Sequence, residues 1–406
     1  MNFSFSITST LLIFLSVSTS VIYFTEIYTE IYSILFLIFF FLLLTIIKLK
    51  KVVFTKKFFT TLFLFFSLIL YYSINRDNGI IYELDYEINS QVNFSITGSF
   101  IILFFTLVIG YFYSFQYEHP LKILSKVISI QLIIFFVYLL WLIYFKNINS
   151  KMNLATGIVV LLFLPYFIIA FNLKQKKLLI LLYIVLMSFL ALISNRASMI
   201  TITMFFINYS IYPYLLKKRI LFKAFFFINV LLIFFMLNIY LVLFDNEFLS
   251  KITEELFNKR LNTRGFIWVE LIEIIKQKYL FGFGSDQLSK YIIYEGEFNR
   301  NNLSSHNAFL EIILTGGLLG LLLLIFLFYS IFNQFYSSSI NHWGRIGSSV
   351  VIGILYSGQT STFFVTGNIV YNCLFWLFLA VSLGQVIKTN NSNLRKIDNN
   401  FQKLVN

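Results

Sequence analysis

Long apolar segments recur along almost the whole chain, and they constrain its fold more than any other feature of the sequence. A helix that crosses a bilayer needs about 20 mostly apolar residues, and about twelve segments meet that requirement. Because 59% of the residues are hydrophobic and 12% are charged, the composition indicates an all-α polytopic membrane protein rather than a soluble domain. The predicted spans lie near residues 5–24, 31–47, 58–74, 93–115, 127–145, 152–171, 178–195, 197–215, 224–244, 307–331, 347–366 and 369–387.

The distribution of Lys and Arg predicts how these spans are oriented. When the N-terminus is placed in the cytoplasm, every predicted cytoplasmic loop carries at least one positive charge, in agreement with the positive-inside rule. The first apolar segment lacks a basic start and a small-residue cleavage site, so we interpret it as a span rather than a signal peptide. The net charge of +13 then reflects basic cytoplasmic loops rather than nucleic-acid binding. Both termini are expected on the cytoplasmic side.

The predicted spans divide the chain into four parts. Residues 1–244 form a bundle of about nine spans. Residues 245–306 form an extracytoplasmic loop that is too long for a simple connector. Residues 307–387 form the C-terminal spans, and residues 388–406 form a polar cytoplasmic tail.

A helix inside the long loop is predicted from its capping residue and its periodicity. Thr263 is a suitable N-cap, apolar residues recur near helical spacing, and the glycines of residues 281–284 stop a helix. We expect the helix to run to about Tyr279 and to lie on the membrane surface or against the bundle. Its first turn would carry Arg264, and a guanidinium beside free backbone N–H groups suits a phosphate or diphosphate. The alternative is an arginine that reaches toward lipid headgroups.

Arg196 leaves the same two alternatives open. It lies in "LISNRASMITIT", between two predicted spans with almost no loop, so its side chain stays at the outer edge of the bilayer. A charge held at membrane depth is costly and tends to be functional, although contact with headgroups explains it equally well. Arg260 and Arg300 add positive charge on the same face with weaker claims.

His306 is the one histidine that the predicted topology places outside, because His119 and His342 fall on the cytoplasmic side. An imidazole suits a general base near neutral pH, whereas the simpler interpretation is a capping or interfacial histidine. Gly316 and Gly320 follow in a G-x-x-x-G spacing, which lets a helix approach a neighbour closely. Because the three histidines are split between two sides and the chain has one cysteine, we predict no metal site and no intramolecular disulfide.

Three stretches on the predicted outer face together resemble the bacterial O-antigen polymerase and ligase family. "HNAFLEIILTGGLLG" is similar to the family's His-Asn, aromatic-Leu and Gly-Leu-x-Gly pattern in both residues and spacing. In "RGFIWVELIEIIKQKYLFGFG", Arg264, Trp268 and Gly282-x-Gly284 resemble a second motif, with Tyr279 where many members have proline. "NRAS" resembles a short Arg-containing turn of the family, although its alanine stands where some members have glycine.

The resemblance, which covers about residues 190–330, implies a GT-C-like membrane glycosyltransferase that needs no metal ion or other cofactor. Its donor would be a glycan linked to undecaprenyl pyrophosphate, transferred at the outer face of the bacterial inner membrane. By resemblance, Arg196 and Arg264 would bind the diphosphate, and His306 would activate the acceptor hydroxyl. No D-x-D pair for a divalent ion occurs in the chain, and two guanidiniums can neutralise a diphosphate through bidentate bonds.

Further positions could support this site, and the resemblance also implies partners. The supporting residues are expected to be Arg260, Arg300, Asn307 and Trp268. The partners would be the lipid-linked donor and acceptor, membrane lipid, a chain-length regulator and a flippase, with no nucleic acid. One base that acts from the face opposite the leaving group suggests single displacement with inversion. The carboxylates considered as nucleophiles stand in no recognisable setting; they are Asp245, Glu247, Asp286, Glu295 and Glu297.

Two alternatives to a polymerase stay open at the level of sequence. A ligase of the same family would move the finished glycan to lipid A core or another acceptor, and the sequence does not separate it from the polymerase that we favour. A flippase or sugar transporter would also fit about twelve spans. A permease of two six-span halves usually has its long loop in the cytoplasm, however, and here the long loop is predicted outside, with no internal repeat.

Overall fold

The computed structural model of the chain describes helices and turns, and it contains no strand among the residues that it describes. The predicted spans near residues 5–24 and 31–47 lie outside the described residues, and those near 127–145 and 152–171 lie only partly within them. The described residues are 55–75, 96–116, 121, 125–126, 128–130, 133, 137, 164–173, 175–192, 196–245, 260–284, 307–336, 341–359 and 369–405.

Most of the described residues belong to long helices. A short helical segment at residues 164–170 precedes α3. The helices are α1 (Lys56–Ile74), α2 (Ile96–Gln116), α3 (Lys176–Leu192), α4 (Arg196–Leu215), α5 (Arg219–Asp245), α6 (Arg260–Gln277), α7 (Ala308–Gln334), α8 (His342–Ser357) and α9 (Ile369–Val405).

Five of the described helices are long and apolar enough to cross a membrane. These segments are consistent with a polytopic membrane protein, and each falls on a span that the sequence predicts. The apolar stretch Lys177–Ala191 in α3 is shorter. The five segments are Lys56–Ile74, Thr97–Phe115, Arg219–Ile239, Ala308–Gln334 and Asn372–Asn390.

Contacts between neighbouring helices show that α1, α3, α5 and α8 run in one direction and that α2, α4, α7 and α9 run in the other. Side chains at both ends of α1 meet α7 in antiparallel order, since Thr61 Oγ1 lies 2.6 Å from Ser330 Oγ and Asn75 Nδ2 donates to Thr315 O (3.3 Å). Ring contacts of α5 with α7 and hydrogen bonds of α4 with α8 follow the same antiparallel order. The alternation agrees with the order of spans predicted from the charges.

Two ends of the bundle can therefore be distinguished. We call the end with Asn75, Asn307 and Gly358 the site end, because α7 begins there, directly after His306 in the sequence. We call the opposite end, where Lys57 and Arg219 lie close enough to interact electrostatically, the basic end.

The boundaries of two helices differ from the prediction. The span predicted at residues 347–366 is wrong at both ends, because α8 begins at His342 and ends at Ser357. Asn341 caps its start by accepting from Trp343 N (2.9 Å), and Gly358 closes its end by donating to Ile354 O. The prediction followed apolar composition, whereas the observed helix begins with a polar turn that packs against α4.

The helix of the long loop also begins earlier than predicted. It starts at Arg260, so Thr263 lies inside the helix and Arg264 stands beyond the first turn. A capping preference is worth about 1 kcal/mol, so it does not by itself fix where a helix starts. The predicted stop is confirmed, because α6 ends at Gln277 and is followed by turns through Gly284. At the other end of the chain, the residues predicted as a tail after Lys388 continue α9 to Val405.

A proline near the basic end explains how α8 is tied to α4. Pro213 lies inside α4 and has no backbone N–H, so the carbonyl of Tyr209 loses its helical donor. Arg345 of α8 supplies a replacement, since its Nε donates to Tyr209 O (2.5 Å) and its guanidinium stacks 3.9 Å from the centre of the Tyr209 ring. The arginine thus satisfies a carbonyl that the sequence of α4 leaves open.

We expect Arg345→Met to lower the stability of the folded protein by about 1–3 kcal/mol, because a part-buried carbonyl then has no donor. The same change should cost less in a Pro213→Ala background, where the alanine N–H can donate to Tyr209 O. Thermal unfolding in detergent of the four variants measures this coupling, with the exposed Lys218→Met as the control. An equal cost of Arg345→Met in both backgrounds would contradict the explanation.

Candidate functional site

The start of α7 is fixed to the end of α8. Asn307 is fully buried and caps α7, since its Oδ1 accepts from Phe309 N (3.0 Å) and Leu310 N (3.1 Å). Ala308 N donates to Gly358 O (2.8 Å), which joins the first turn of α7 to the end of α8. His306 directly precedes this cap and, like Arg300, lies outside the described residues.

Arg196 is the first residue of α4, and the packing of α4 on α8 gives its height in the bundle. Asn208 Nδ2 donates to Ser348 Oγ (3.1 Å), and the two helices are antiparallel. Arg196 precedes Asn208 by roughly 18 Å of helix, and Gly358 follows Ser348 by roughly 15 Å. The backbone of Arg196 is therefore level with Gly358 at the site end, while its side chain lies outside the described residues.

The part of α6 that follows Arg264 packs against α7. Ile267, Trp268, Leu271 and Ile275 form a buried cluster with Leu310 and Leu314 of α7 and Leu237 of α5. The backbone of Arg264 precedes Trp268 by four residues, which is about one helical turn. Trp268 is 5% exposed, so it anchors α6 to the bundle as a packing residue.

The direction of α6 then gives the height of Arg264. The C-terminal end of α6 adjoins residues 314–319 of α7, and the buried cluster of α6 contacts the N-terminal half of α7. The start of α6 therefore points toward the site end. Arg264 precedes Ile275 by roughly 16 Å, and the start of α7 precedes Leu314 by roughly 10 Å. The two are thus at similar heights, with Arg260 one turn further out. The side chains of both arginines lie outside the described residues.

An interruption in α7 is the main departure from the predicted fold of this region. The sequence predicts an uninterrupted apolar span after His306. Gly317, the tenth residue of α7, instead has φ 60° and ψ −164° and breaks the helix. The left-handed φ favours glycine, because a side chain there would be strained. The break leaves backbone groups of α7 without their helical partners, and these groups must be satisfied inside the protein.

The segment that follows α6 satisfies these backbone groups. Phe283 N donates to Leu314 O (2.8 Å), and Gly284 N donates to Thr315 O (2.9 Å). In the reverse direction, Leu318 N donates to Tyr279 O (2.8 Å), and Leu319 N donates to Leu280 O (3.3 Å). We call this reciprocal pairing of residues 279–284 with residues 314–319 the clasp.

Helix α1 and three glycines complete the clasp. Tyr71 OH donates to Gly316 O (2.7 Å) and to Phe281 O (3.1 Å), and Asn75 Nδ2 also donates to Phe281 O (2.5 Å). A Cβ on Gly282 would come within 2.6 Å of the backbone of residues 315 and 317, so the two chains cross in direct contact. The predicted close approach at the G-x-x-x-G spacing is confirmed, because the ring of Tyr72 fills the space beside Gly316 and Gly320.

Sequence reasoning missed one residue of this region, Glu311. It lies in the first turn of α7 and is 2% exposed, and it is the one charged residue among the buried residues that the structure describes. The sequence does contain a signal for Glu311, because an acidic residue within an otherwise apolar span is costly and tends to be functional.

We expect Gly317→Ala to remove most of the folded protein, because a Cβ there collides with the backbone of Leu280 and strains a left-handed φ. Gly320→Ala is the matched control on the same helix. Its Cβ would meet the hydroxyl of Tyr72 at 2.8 Å, and the end of a side chain can move. Monodisperse yield and thermal unfolding in detergent measure the difference, and a Gly317→Ala protein as stable as Gly320→Ala would contradict the clasp.

One comparison with known proteins finds a family. Residues 181–325 match the family model described as O-Antigen ligase, a stretch that extends from α3 through the break in α7 and contains all three predicted motifs. No curated protein and no solved structure matches the chain. The family consists of glycosyltransferase-like enzymes and implies lipid-linked glycan substrates. The resemblance seen in the motifs is therefore confirmed, and residues 181–325 of this membrane protein carry a domain of the O-antigen polymerase and ligase family.

Proposed function

We propose that this protein polymerises lipid-linked oligosaccharide repeat units into a surface polysaccharide, either O-antigen or capsule. The donor is a glycan on undecaprenyl pyrophosphate, and the acceptor is a sugar hydroxyl of a second repeat unit. Transfer takes place at the outer face of the bacterial inner membrane. About twelve spans in a GT-C-like bundle, with both termini in the cytoplasm, complete the proposal.

One observation carries the assignment of the site. The packing registers bring the starts of α4 and α6 and the cap of α7 to the same end of the bundle. These are the backbone positions that bear Arg196, Arg264 and the residue after His306. Residues that are far apart in sequence, and that come from three separate motifs, thus border one region.

The charge of this region suits a diphosphate. The site end receives the N-termini of three helices, and each N-terminus carries a partial positive charge. The guanidiniums of Arg196 and Arg264 add bidentate donors that neutralise the diphosphate as it leaves, in place of a divalent ion. Arg260 and Arg300 contribute to the positive field around them.

The reaction is a single displacement. The imidazole of His306 takes the proton of the acceptor hydroxyl, and the hydroxyl oxygen forms a bond to the anomeric carbon. The bond from that carbon to the diphosphate oxygen breaks, and the electron pair leaves with the lipid diphosphate. Because attack and departure occur on opposite faces, the anomeric configuration is inverted. Asn307 and Trp268 support the site by fixing the start of α7 and the position of α6.

A ligase is the second candidate, because the matching family model is described as O-Antigen ligase and its match does not separate the two activities. In that case the same groups would transfer a finished glycan from the carrier lipid to lipid A core or another acceptor. A chain-length regulator and a flippase are proposed partners of the polymerase, because its substrate must reach the outer face and its product grows by repeated transfer. A transporter is a weaker candidate, because the matched domain belongs to a family of enzymes.

We expect His306→Ala, Arg196→Ala and Arg264→Ala each to lower the rate of chain growth by about 10²–10³, because each removes a group that acts on the transition state. The assay uses purified protein in lipid nanodiscs with a lipid-linked repeat unit, and the polymer ladder is measured by electrophoresis. Lys276→Ala is a control, since this lysine is exposed and pairs with Glu273 on α6.

Two results would contradict this mechanism. Normal chain growth by His306→Ala would remove the imidazole from the reaction. Activity that depends on added divalent ion and is abolished by a chelator would overturn the metal-independent assignment.

A deletion strain distinguishes the two candidate functions. For a polymerase we expect surface glycan with a single repeat unit, because transfer to the final acceptor continues without chain growth. For a ligase we expect full-length chains that remain on the carrier lipid. Electrophoresis of the surface and carrier-linked fractions separates these outcomes, and the second pattern would replace the polymerase assignment.

A further inference from the structure

A shallow groove runs along α7 between α1 and α5. Helix α1 reaches α7 at Ser330, and α5 reaches it through ring contacts with Tyr329 and Phe332. Between these two contact faces, large apolar side chains recur every four residues along α7 and are exposed. They form a stripe that consists of Leu318, Leu322 and Phe326. We call the space over this stripe, with α1 and α5 on its two sides, the lipid-facing groove.

One positive charge at the basic end of the groove comes from α1. Lys57 precedes Thr61 by one helical turn, and it is exposed. Thr61 Oγ1 lies 2.6 Å from Ser330 Oγ and accepts a hydrogen bond from Gln334 Nε2 (2.6 Å). The start of α1, with Lys57, is therefore held beside the last turns of α7.

Two further positive charges come from α5. The rings of Phe222 and Phe332 stack with their centres 4.4 Å apart, so the start of α5 lies against the same turns of α7. Arg219 and Lys223 flank Phe222 in the sequence, and the first is exposed while the second is half-buried. Both are close enough to Lys57 to interact with it electrostatically. Three positive charges from two helices thus meet at one end of the groove.

The described part of the chain does not balance these charges. Its acidic side chains lie on α6 and in the first turn of α7, toward the opposite end of the bundle. The C-terminal ends of α4 and α7 do adjoin the basic end, but a helix C-terminus carries only about half a negative charge. A net positive charge therefore remains, and an anion that binds there would relieve the repulsion between the three side chains.

The polarity of the groove changes along its length as that of a lipid does. Asn333 follows Phe326 by seven residues, or about two turns, so the exposed stripe becomes polar at the basic end. From Asn333 to Leu322 the helix rises by roughly 16 Å, which is close to half of the ~30 Å hydrocarbon core of a bilayer. The apolar part of the groove therefore matches an acyl chain of one leaflet, and the positive charges lie where its headgroup would be.

We propose that the lipid-facing groove binds an anionic phospholipid, with its phosphate between Lys57, Arg219 and Lys223 and an acyl chain along Phe326 and Leu322. The guanidinium can bind the phosphate through two hydrogen bonds, and the two lysines add compact charges. Basic pockets between membrane-spanning helices bind lipid headgroups in this way. The inference goes beyond the proposed function and does not depend on the reaction at the site end.

Thermal unfolding of the full chain in a neutral detergent tests the proposal. Phosphatidylglycerol, cardiolipin, phosphatidylcholine and inorganic phosphate are added separately. We expect the two anionic lipids to raise the unfolding temperature to a saturating value, because a ligand that binds the folded state stabilises it. Phosphatidylcholine lacks the net charge and inorganic phosphate lacks the acyl chain, so we expect neither to have this effect. An equal rise with phosphatidylcholine would overturn the role of the charges, and an equal rise with inorganic phosphate would overturn the lipid assignment.

Matched charge removals distinguish a site from a diffuse basic surface. We expect Lys57→Gln and Lys223→Gln each to weaken the binding of phosphatidylglycerol about fivefold, as measured by lipid titration and native mass spectrometry. Lys177→Gln is the control, because this exposed lysine lies at the start of α3, which packs on α4 away from the groove. Basic residues near a membrane surface also determine topology. An equal loss of binding in all three variants would therefore leave only that general role and overturn the site.

Hydrogen exchange of the unsubstituted protein locates the bound lipid without any variant. We expect phosphatidylglycerol to slow exchange at the starts of α1 and α5, because a headgroup between Lys57 and Lys223 restrains both helix ends. The start of α3 is the internal control, and we expect its exchange to stay the same. Slower exchange at all three helix starts, or at none of them, would contradict a site in the lipid-facing groove.

Discussion

The pairing between the segment after α6 and the break in α7 is the constraint on which the site end depends. A broken helix inside a bilayer leaves amides and carbonyls that water cannot reach, and the protein itself must satisfy them. Residues 279–284 and 314–319 do this for each other, and α1 adds donors from Tyr71 and Asn75. The loop helix α6 is thereby joined to the membrane bundle by its backbone, and its height and direction follow from the break.

The clasp also explains why the motif glycines have different physical roles. Gly317 and Gly282 have left-handed φ angles and meet where the two chains cross, so both their conformation and their lack of a side chain are required. Gly316 and Gly320 instead make room for the ring of Tyr72. A single sequence pattern, Gly-Gly-x-x-Gly, therefore encodes both a helix break and a helix–helix contact.

Much of this architecture could be predicted from the sequence, because its strongest determinants are local. Apolar length marked the spans, basic loops gave their alternation, and the Gly-Phe-Gly stretch marked the end of α6. The break at Gly317 could not be predicted, since a G-x-x-x-G spacing also occurs in continuous helices and the partner of the break lies in another segment. The same holds for the start of α8, where a polar turn is stabilised by Arg345 and by a carbonyl that Pro213 frees in α4. The positions of Arg196, Arg264 and His306 as a site stay a prediction.

The proposed reaction needs a positive field that can hold a diphosphate at the site end. Helix N-termini and guanidiniums would supply that field. The start of α7 is fixed by its cap and by its bond to the end of α8, and the height of α6 follows from the clasp. The positive field of the proposed site therefore depends on the same backbone pairing that satisfies the broken helix.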